Sequence, residues 1–309
     1  MKVDRVNTTT KLQAILITAY KDEENLIRLI RHFSDERHFR IYVHIDRRSS
    51  AIDERALEAL GVKSLKCIRT YSIHWGSIYH MHAILDLMKM ALEDPSIHYC
   101  HLLSGGDVAL HSSDWYVREF SDCKISYCDM MPFSLREDWY LLYHWPSTLA
   151  WMRFSTRIDH VLAKIQRALG FRRRQIGEIP VASLSNVGLV WGSFTRDMCA
   201  EFVLFRDDNP KFVRALNYTR IPEELYFATI IAHKGFPISP NGYGRYSVWN
   251  QRGWPAVLME EDFDDMYKDE YFVARKVDSE KSASLLKRID EKIKLEGQSV
   301  EEEHLQERG

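Results

Sequence analysis

The sequence predicts an α/β fold built on a mostly parallel sheet. Three observations lead there. Leu12–Thr18 (LQAILIT) is a continuous apolar run of strand length, as expected for a strand covered on both faces. Arg40–Asp46 (RIYVHID) is a β-branched and aromatic run that closes on an acid. Strand-like and helix-like segments then alternate up to about residue 105, the pattern of a parallel sheet with helices on both faces.

Taken in order, Asp22–Phe33 brings Leu26, Leu29, Ile30 and Phe33 onto one helical face. Lys66–Arg69 (KCIR) reads as a short third strand. Ser77–Glu93 is a long amphipathic helix with Ile84, Leu87, Met88, Ala91 and Leu92 on one side. His98–Leu103 (HYCHLL) is a further strand, closed by Ser104-Gly105-Gly106-Asp107. Sheets of this type bind ligands beyond the carboxyl ends of their strands. Those ends are Thr18-Ala19-Tyr20, His44-Ile45-Asp46-Arg47 and Ser104–Asp107.

The second half is less regular. Asp129–Trp151 holds Phe133, Trp139, Tyr140, Tyr143, Trp145 and Trp151, and reads as long loops around a site, with Trp139, Tyr143 and Trp145 assigned to core or lid packing. Ile158, Val161, Leu162, Ile165 and Leu169 mark an amphipathic helix ended by Gly170. Arg172-Arg173-Arg174 follows, either a solvated turn or a contact for an anionic acceptor or membrane surface. Asn186–Trp191 is expected as a strand and Phe194–Phe205 as a helix, with extended segments at Arg245–Trp249 and Phe272–Val277. A charged last helix carries Leu285, Leu286, Ile289 and Ile293 on one face and is expected to fray beyond Gln298. The expectation is one domain over 1–278, with a nucleotide-binding half at about 12–110 and an acceptor half at about 111–278, and then a C-terminal helix over 279–309.

With 309 residues, 45 % apolar and 28 % charged, the chain has the composition of a soluble globular protein with a large core. A net charge of −2 gives no electrostatic footprint for a nucleic-acid partner. The five cysteines form no C-x-x-C pair, so neither a disulfide framework nor a zinc site is indicated, and reduced thiols are expected. The polar N-terminus lacks the apolar core of a signal peptide, and no run approaches ~20 apolar residues. A cytoplasmic location follows as an expectation, possible contact with the inner face of a membrane resting on Arg172–Arg174.

The first strand leads into AYKDEE rather than a G-x-G-x-x-G turn, and no P-loop is present, which argues against a dinucleotide dehydrogenase and a P-loop enzyme. No Asp-x-Asp follows a strand, and His80 and His82 point apart on a helix, so no metal or cofactor is expected. A metal-free pyrophosphate site needs Arg and Lys. Arg245 and Arg275-Lys276 are the candidates, each set among apolar residues. Arg220–Ala232 (RIPEELYFATIIA) starts a helix on Pro222, with Glu223 and Glu224 in the first turn. On the residues alone this is either an ordinary acidic helix start or a place from which a carboxylate reaches a cleft as general base.

These segments, in this order, resemble the core-2/I-branching N-acetylglucosaminyltransferase family, which also contains the peptide O-xylosyltransferases. ILITAYKDEENLIRLIRHF with IYVHIDRRS is similar to the family's opening strand, helix and second strand, and HWGSIYHMHAILDLMKMAL to its next helix. HYCHLLSGGDVALHSSDW is similar to its LLSG-D-PL-S segment, IPEELYFATII to its PDE…AT helix start, and FVARKVD to its FA-K-D end. One departure is Gly188-Leu189-Val190-Trp191, where the family often carries a serine after the glycine.

The resemblance implies a GT-A-like, Rossmann-type fold, a UDP-sugar donor, inversion at the anomeric carbon and no metal. Carried over by position, the catalytic base falls on Glu224, the diphosphate contacts on Arg245 and Lys276, and an acid near the uridine on Asp46, with Tyr20 beside it at a strand end. His74, Trp75, Asp107, Glu223 and Trp191 are further candidates for the donor or acceptor pocket. The acceptor is expected to be a glycan or lipid-linked glycan in surface polysaccharide synthesis. A UDP-xylose-dependent enzyme and a non-catalytic carbohydrate-binding relative are the alternatives.

Overall fold

In the computed structural model the described residues are 11–132, 139–145, 156–181, 184, 186–188, 190–242, 244–252 and 255–306. The first half runs β1 (Leu12–Ala19), α1 (Glu23–His32), β2 (Phe39–Ile45), α2 (Glu54–Glu58), β3 (Leu65–Ile68), α3 (Ile78–Leu92), β4 (Ile97–Ser104), β5 (Asp107–Ala109) and α4 (Ser113–Phe120). The short strands β6 (Tyr127–Cys128) and β7 (Met131–Pro132) follow, then α5 (Thr156–Ala168), β8 (Gln175–Ile176), β9 (Ile179–Pro180), β10 (Asn186–Val187) and β11 (Gly192–Thr195). The chain continues with α6 (Arg196–Asp208), α7 (Pro210–Leu216), α8 (Pro222–Lys234), β12 (Arg245–Ser247), β13 (Val273–Arg275) and α9 (Ala283–Gln306).

The main sheet has the order β3-β2-β1-β4-β11-β6. Its first four strands are parallel and β11 is antiparallel to β4. Side chains alternate across a strand, so β1 feeds two cores. Leu12, Ala14 and Leu16 join Met81, Ile84, Met88, Phe202 and Tyr226 on the face covered by α3, α6 and α8. Ile15, Ile17 and Ala19 join Leu26, Ile30, Tyr116 and Phe120 on the face covered by α1 and α4. That double cover is why the strand is apolar except at Gln13 and Thr18, both of them buried.

A second sheet, β12-β13-β5, carries the site's cations. Because β5 follows directly on β4, this small sheet is anchored to the carboxyl end of the main one. Its antiparallel register sets Arg275 opposite Asp107. A third apolar cluster lies behind it, where Leu285, Leu286 and Ile289 of α9 pack on Val108, Leu258 and Ala274.

Several expectations from the sequence need correction. Phe194 and Thr195 belong to β11 and not to a helix; Thr195 is the N-cap of α6, its side chain accepting from the Met198 amide. The expected strand over Asn186–Trp191 reduces to Asn186–Val187. The last helix continues to Gln306 instead of ending near Gln298. In the basic run, Arg173 is buried, donating to Thr219 Oγ1 at 2.7 Å and to the Ala215 carbonyl at 3.0 Å. Tyr143 and Trp145, by contrast, are core residues as expected. Phe133, Trp151, Leu189 and the side chains of Trp139 and Tyr140 lie outside the described residues.

Candidate active site

The parallel strands end level with one another: Thr18 of β1 lies opposite Ser104 of β4, and Ala19 opposite Ile45 of β2. Beyond β4 the chain turns through Gly105-Gly106. A Cβ on Gly105 would stand 3.1 Å from that of Ala19, so the loop sits against the end of β1. Asn25, buried near the start of α1, donates to the Gly105 and Asp107 carbonyls at 2.8 and 2.9 Å and pins this turn from below.

Asp107 is fully buried. Its carboxylate accepts from the Ser104 amide at 2.7 Å and hydroxyl at 3.1 Å, and pairs with Arg275 at 3.1 Å and Arg245 at 3.4 Å. A buried carboxylate needs such partners, and here they make it the anchor that holds two arginines at the strand end. Arg245 is itself interior, donating to the Leu102 carbonyl at 2.9 Å. Arg275 also donates to the Ser104 hydroxyl and lies 4.2 Å from the Trp191 ring. Lys276 comes next, its Cγ 3.5 Å from where a Gly106 Cβ would be. Its ammonium is held below the ordinary lysine range, first by burial and then by the neighbouring charges of Lys21 and Arg275. Lys21, Arg275 and Lys276 thus crowd positive charge around the Gly105-Gly106 turn, and an anion bound there would relieve their repulsion.

The acids arrive on α8. Pro222 occupies its first turn, and Ile221 before it has φ 51° and ψ 56°. That left-handed conformation is a strained one for a β-branched residue, costing on the order of 1–3 kcal/mol. The Ile221 amide donates to the Gly76 carbonyl at 3.1 Å, which fixes the turn. Behind it the two acids have different surroundings. Glu223 is 6 % exposed, and its Oε1 accepts from His80 Nδ1 at 3.0 Å. His80 Nε2 lies 3.4 Å from the Thr18 hydroxyl, so the pair is tied to the end of β1. Glu224 is partly exposed, with its carbonyl accepting from the Gly188 amide at 3.2 Å. Trp191 joins acids to cations: its ring is 5.5 Å from His80 and 4.2 Å from the Arg275 guanidinium.

The remaining candidates sit beside this centre, at the ends of β1 and β2. Asp46 accepts from the Arg48 and Ile73 amides at 2.8 and 3.1 Å and pairs with the Arg48 guanidinium at 3.0 Å. Burial raises its carboxyl pKa, but Arg48 and these amides outweigh burial and hold it below the ordinary range. His74 Nδ1 accepts from Arg48 at 2.8 Å. The segment from Ile73 to Gly76 is therefore clamped to Asp46 at one end and to Ile221 at the other. Trp75, between the clamps, is 75 % exposed and has the Arg220 guanidinium 4.7 Å from its ring. Tyr20 is 59 % exposed at the end of β1.

Arranged this way, the strand ends can take a diphosphate on their cations, present a carboxylate at a helix start, and offer exposed aromatic faces for rings. A family model for the core-2/I-branching enzymes matches residues 14–270. The chain belongs to that family. Core-2/I-branching enzymes are glycosyltransferases, so the chain is an enzyme that transfers sugars, with a sugar donor and an acceptor as its substrates. The match includes Glu223, Glu224, Trp191 and Arg245 and stops short of β13, leaving Arg275 and Lys276 beyond it. A search of the curated proteins finds no significant match. Among the described residues no group of three His, Cys, Asp or Glu could hold a metal ion, and no helix is long and apolar enough to cross a membrane.

Sequence reasoning placed Thr18 at a ligand-facing strand end but gave no role in this candidate site to His80 or Asn25. His80 gave no local signal, lying on a helix whose spacing spoke only of packing, while its partner is 143 residues away. Asn25 was open to suspicion as a polar residue on the apolar face of α1, where only bonds such as those to Gly105 and Asp107 make burial tolerable.

Proposed function

We propose that this enzyme moves a sugar, GlcNAc in the first instance, from a UDP-sugar to a hydroxyl of a glycan or lipid-linked glycan, with inversion and without a metal ion or other cofactor. The observation that carries the proposal is the pairing of acids at the start of α8 with cations at the Gly105-Gly106 turn, joined through Trp191. Glu224 is the general base, since of the two acids it is the one with solvent access. It accepts the proton of the acceptor hydroxyl while that oxygen forms a bond to C1 of the donor sugar. The C1–O bond to the diphosphate breaks on the opposite face, and UDP leaves with the electron pair.

Lys276, with Lys21 and Arg275, takes up the charge that develops on the diphosphate, and Arg245 adds its charge from the interior of the same pocket. Tyr20 and Asp46 serve the nucleotide end. Trp75 and His74 line the sugar pocket, with Trp191 its inner wall. Glu223, held by His80, supports the helix start.

The test is UDP release from UDP-GlcNAc with and without EDTA, in the wild type and in Glu224→Gln and Glu223→Gln. Release that ignores the chelator and falls ~10²–10⁴-fold in Glu224→Gln supports the assignment. A Glu224→Gln protein with wild-type transfer, beside a dead Glu223→Gln protein, would move the base by one residue. Thermal-shift comparison of UDP-GlcNAc, UDP-xylose, UDP-glucose and UDP-galactose identifies the donor, because stabilisation follows occupancy.

A further inference from the structure

We infer that α5 and the turn after it form a docking surface for an anionic lipid bilayer. A surface helix of a globular protein ordinarily turns its apolar stripe inward. On α5 a second apolar stripe faces out: Val161 is 54 % exposed and Ile165 48 %, and Leu169 and Phe171 just beyond the helix are 62 % and 64 % exposed. Val161, Ile165 and Leu169 follow at intervals of four and so share one face. Ile158, 45 % exposed, extends that face toward the helix start. Contiguous exposed aliphatic and aromatic side chains of this kind mark an interaction site rather than ordinary surface.

The charge beside the stripe identifies the partner. Beside it Lys164, Arg172 and Arg174 are exposed, whereas Asp159, the one acid between 158 and 175, is buried. The segment is thus locally basic on a chain whose net charge is −2. An apolar stripe flanked by Lys and Arg suits the interface of a bilayer, where the stripe enters the acyl boundary and the cations meet anionic headgroups. A second protein chain would have to supply both an apolar groove and a rim of acids. Arg173 takes no part, being buried on Thr219 and Ala215.

The opposite side of α5 is linked through Trp145 to Arg220, just before α8. The Trp145 ring lies 6.0 Å from His160, and the Arg220 guanidinium is 5.0 Å from the Trp145 ring and 4.7 Å from that of Trp75. Gln166 exchanges hydrogen bonds with the backbone of His144 at 2.9 and 3.0 Å. The helix and Trp145 thus stand between a bilayer on the outer stripe and the loop that leads into Glu223 and Glu224. The inference does not depend on the assigned chemistry, because vesicle binding is measured without substrate.

The experiment is flotation of the full chain with vesicles of pure phosphatidylcholine and vesicles rich in phosphatidylglycerol, at about 0.05 M and about 0.5 M salt. Binding is expected only to the anionic vesicles and is expected to weaken strongly at the higher salt. Each Lys or Arg near such a surface raises partitioning about fivefold, so replacing Lys164, Arg172 and Arg174 by Gln should lower it by about two orders of magnitude. Val161→Ser with Ile165→Ser and Leu169→Ser should abolish what remains at high salt while leaving the melting temperature unchanged. Absence of binding to anionic vesicles by the wild type overturns the inference, as does equal binding to both vesicle types. So does a dimer seen by light scattering that Ile165→Glu dissolves in a protein that ignores vesicles.

Discussion

Replacing His80 by alanine tests whether the Glu223 carboxylate is held or merely buried. The contact is 3.0 Å between side chains that are 16 % and 7 % exposed. Among the described residues Oε2 of Glu223 has no hydrogen-bond partner, so His80 is the principal support of this carboxylate. A hydrogen bond to a charged group contributes about 1.5–3 kcal/mol. Removal of the imidazole also opens a channel by which water can reach Oε1, which keeps the loss within that range. His80→Ala should therefore destabilise the fold by about 2–3 kcal/mol.

The neutral amide of Glu223→Gln is cheaper to bury and can still accept from Nδ1, so this change alone should cost about 1 kcal/mol. In that background His80→Ala should also cost only about 1 kcal/mol, leaving a coupling of about 1–2 kcal/mol in the double-mutant cycle. Urea denaturation of the four proteins at neutral pH gives the four free energies. A coupling below about 0.5 kcal/mol, the level of independent sites, would refute the claim that the two side chains act as a unit.

Gly188→Ala places a Cβ 2.1 Å from the Asp129 carbonyl oxygen, which is backbone and cannot swing aside. A loss of about 3 kcal/mol or more is expected, together with lower transfer, because the Gly188 amide supports the Glu224 carbonyl. A melting temperature within a degree of wild type would contradict it. Stability should also fall on acidification. Burial depresses the imidazoles of His32 and His44 to about 4 and that of His101 to about 3. Unfolded histidine takes up its proton near 6.5, so between about pH 6.5 and 4 the unfolded chain binds the extra protons. The stability is fully present above that window and is lost at up to about 1.4 kcal/mol per pH unit for each histidine. Equal urea midpoints at about pH 7.5 and about pH 5.5 would rule this out.

What was legible in the sequence divides along a physical line. β1 and β2 could be read because a parallel strand covered on both faces is predominantly apolar, and the helix start at Pro222 because its missing amide proton and the acids after it are local matters. Three-residue strands such as β5, β12 and β13 are too short to show a period, and their meaning lies in the register that puts Arg275 against Asp107. Nothing near either residue encodes that contact. Thr195 is an intermediate case. It caps α6, and with Phe194 it falls in the span expected as helix, although β4 claims both residues for the sheet.

The candidate site repeats the division at higher stakes. Glu223 and Glu224 are neighbours of nearly the same chemistry, and the local sequence offers no reason to treat them differently. The difference comes from α3, which reaches the start of α8 with His80 and buries one acid against its imidazole, while the next acid on the helix stays partly exposed. A helix rotates about 100° per residue, so two consecutive carboxylates cannot share one environment. Fixing one at the end of β1 through His80 and Thr18 therefore also fixes the direction in which the other points. The same contact that removes Glu223 from solvent sets Glu224 on a different side of the helix, partly exposed.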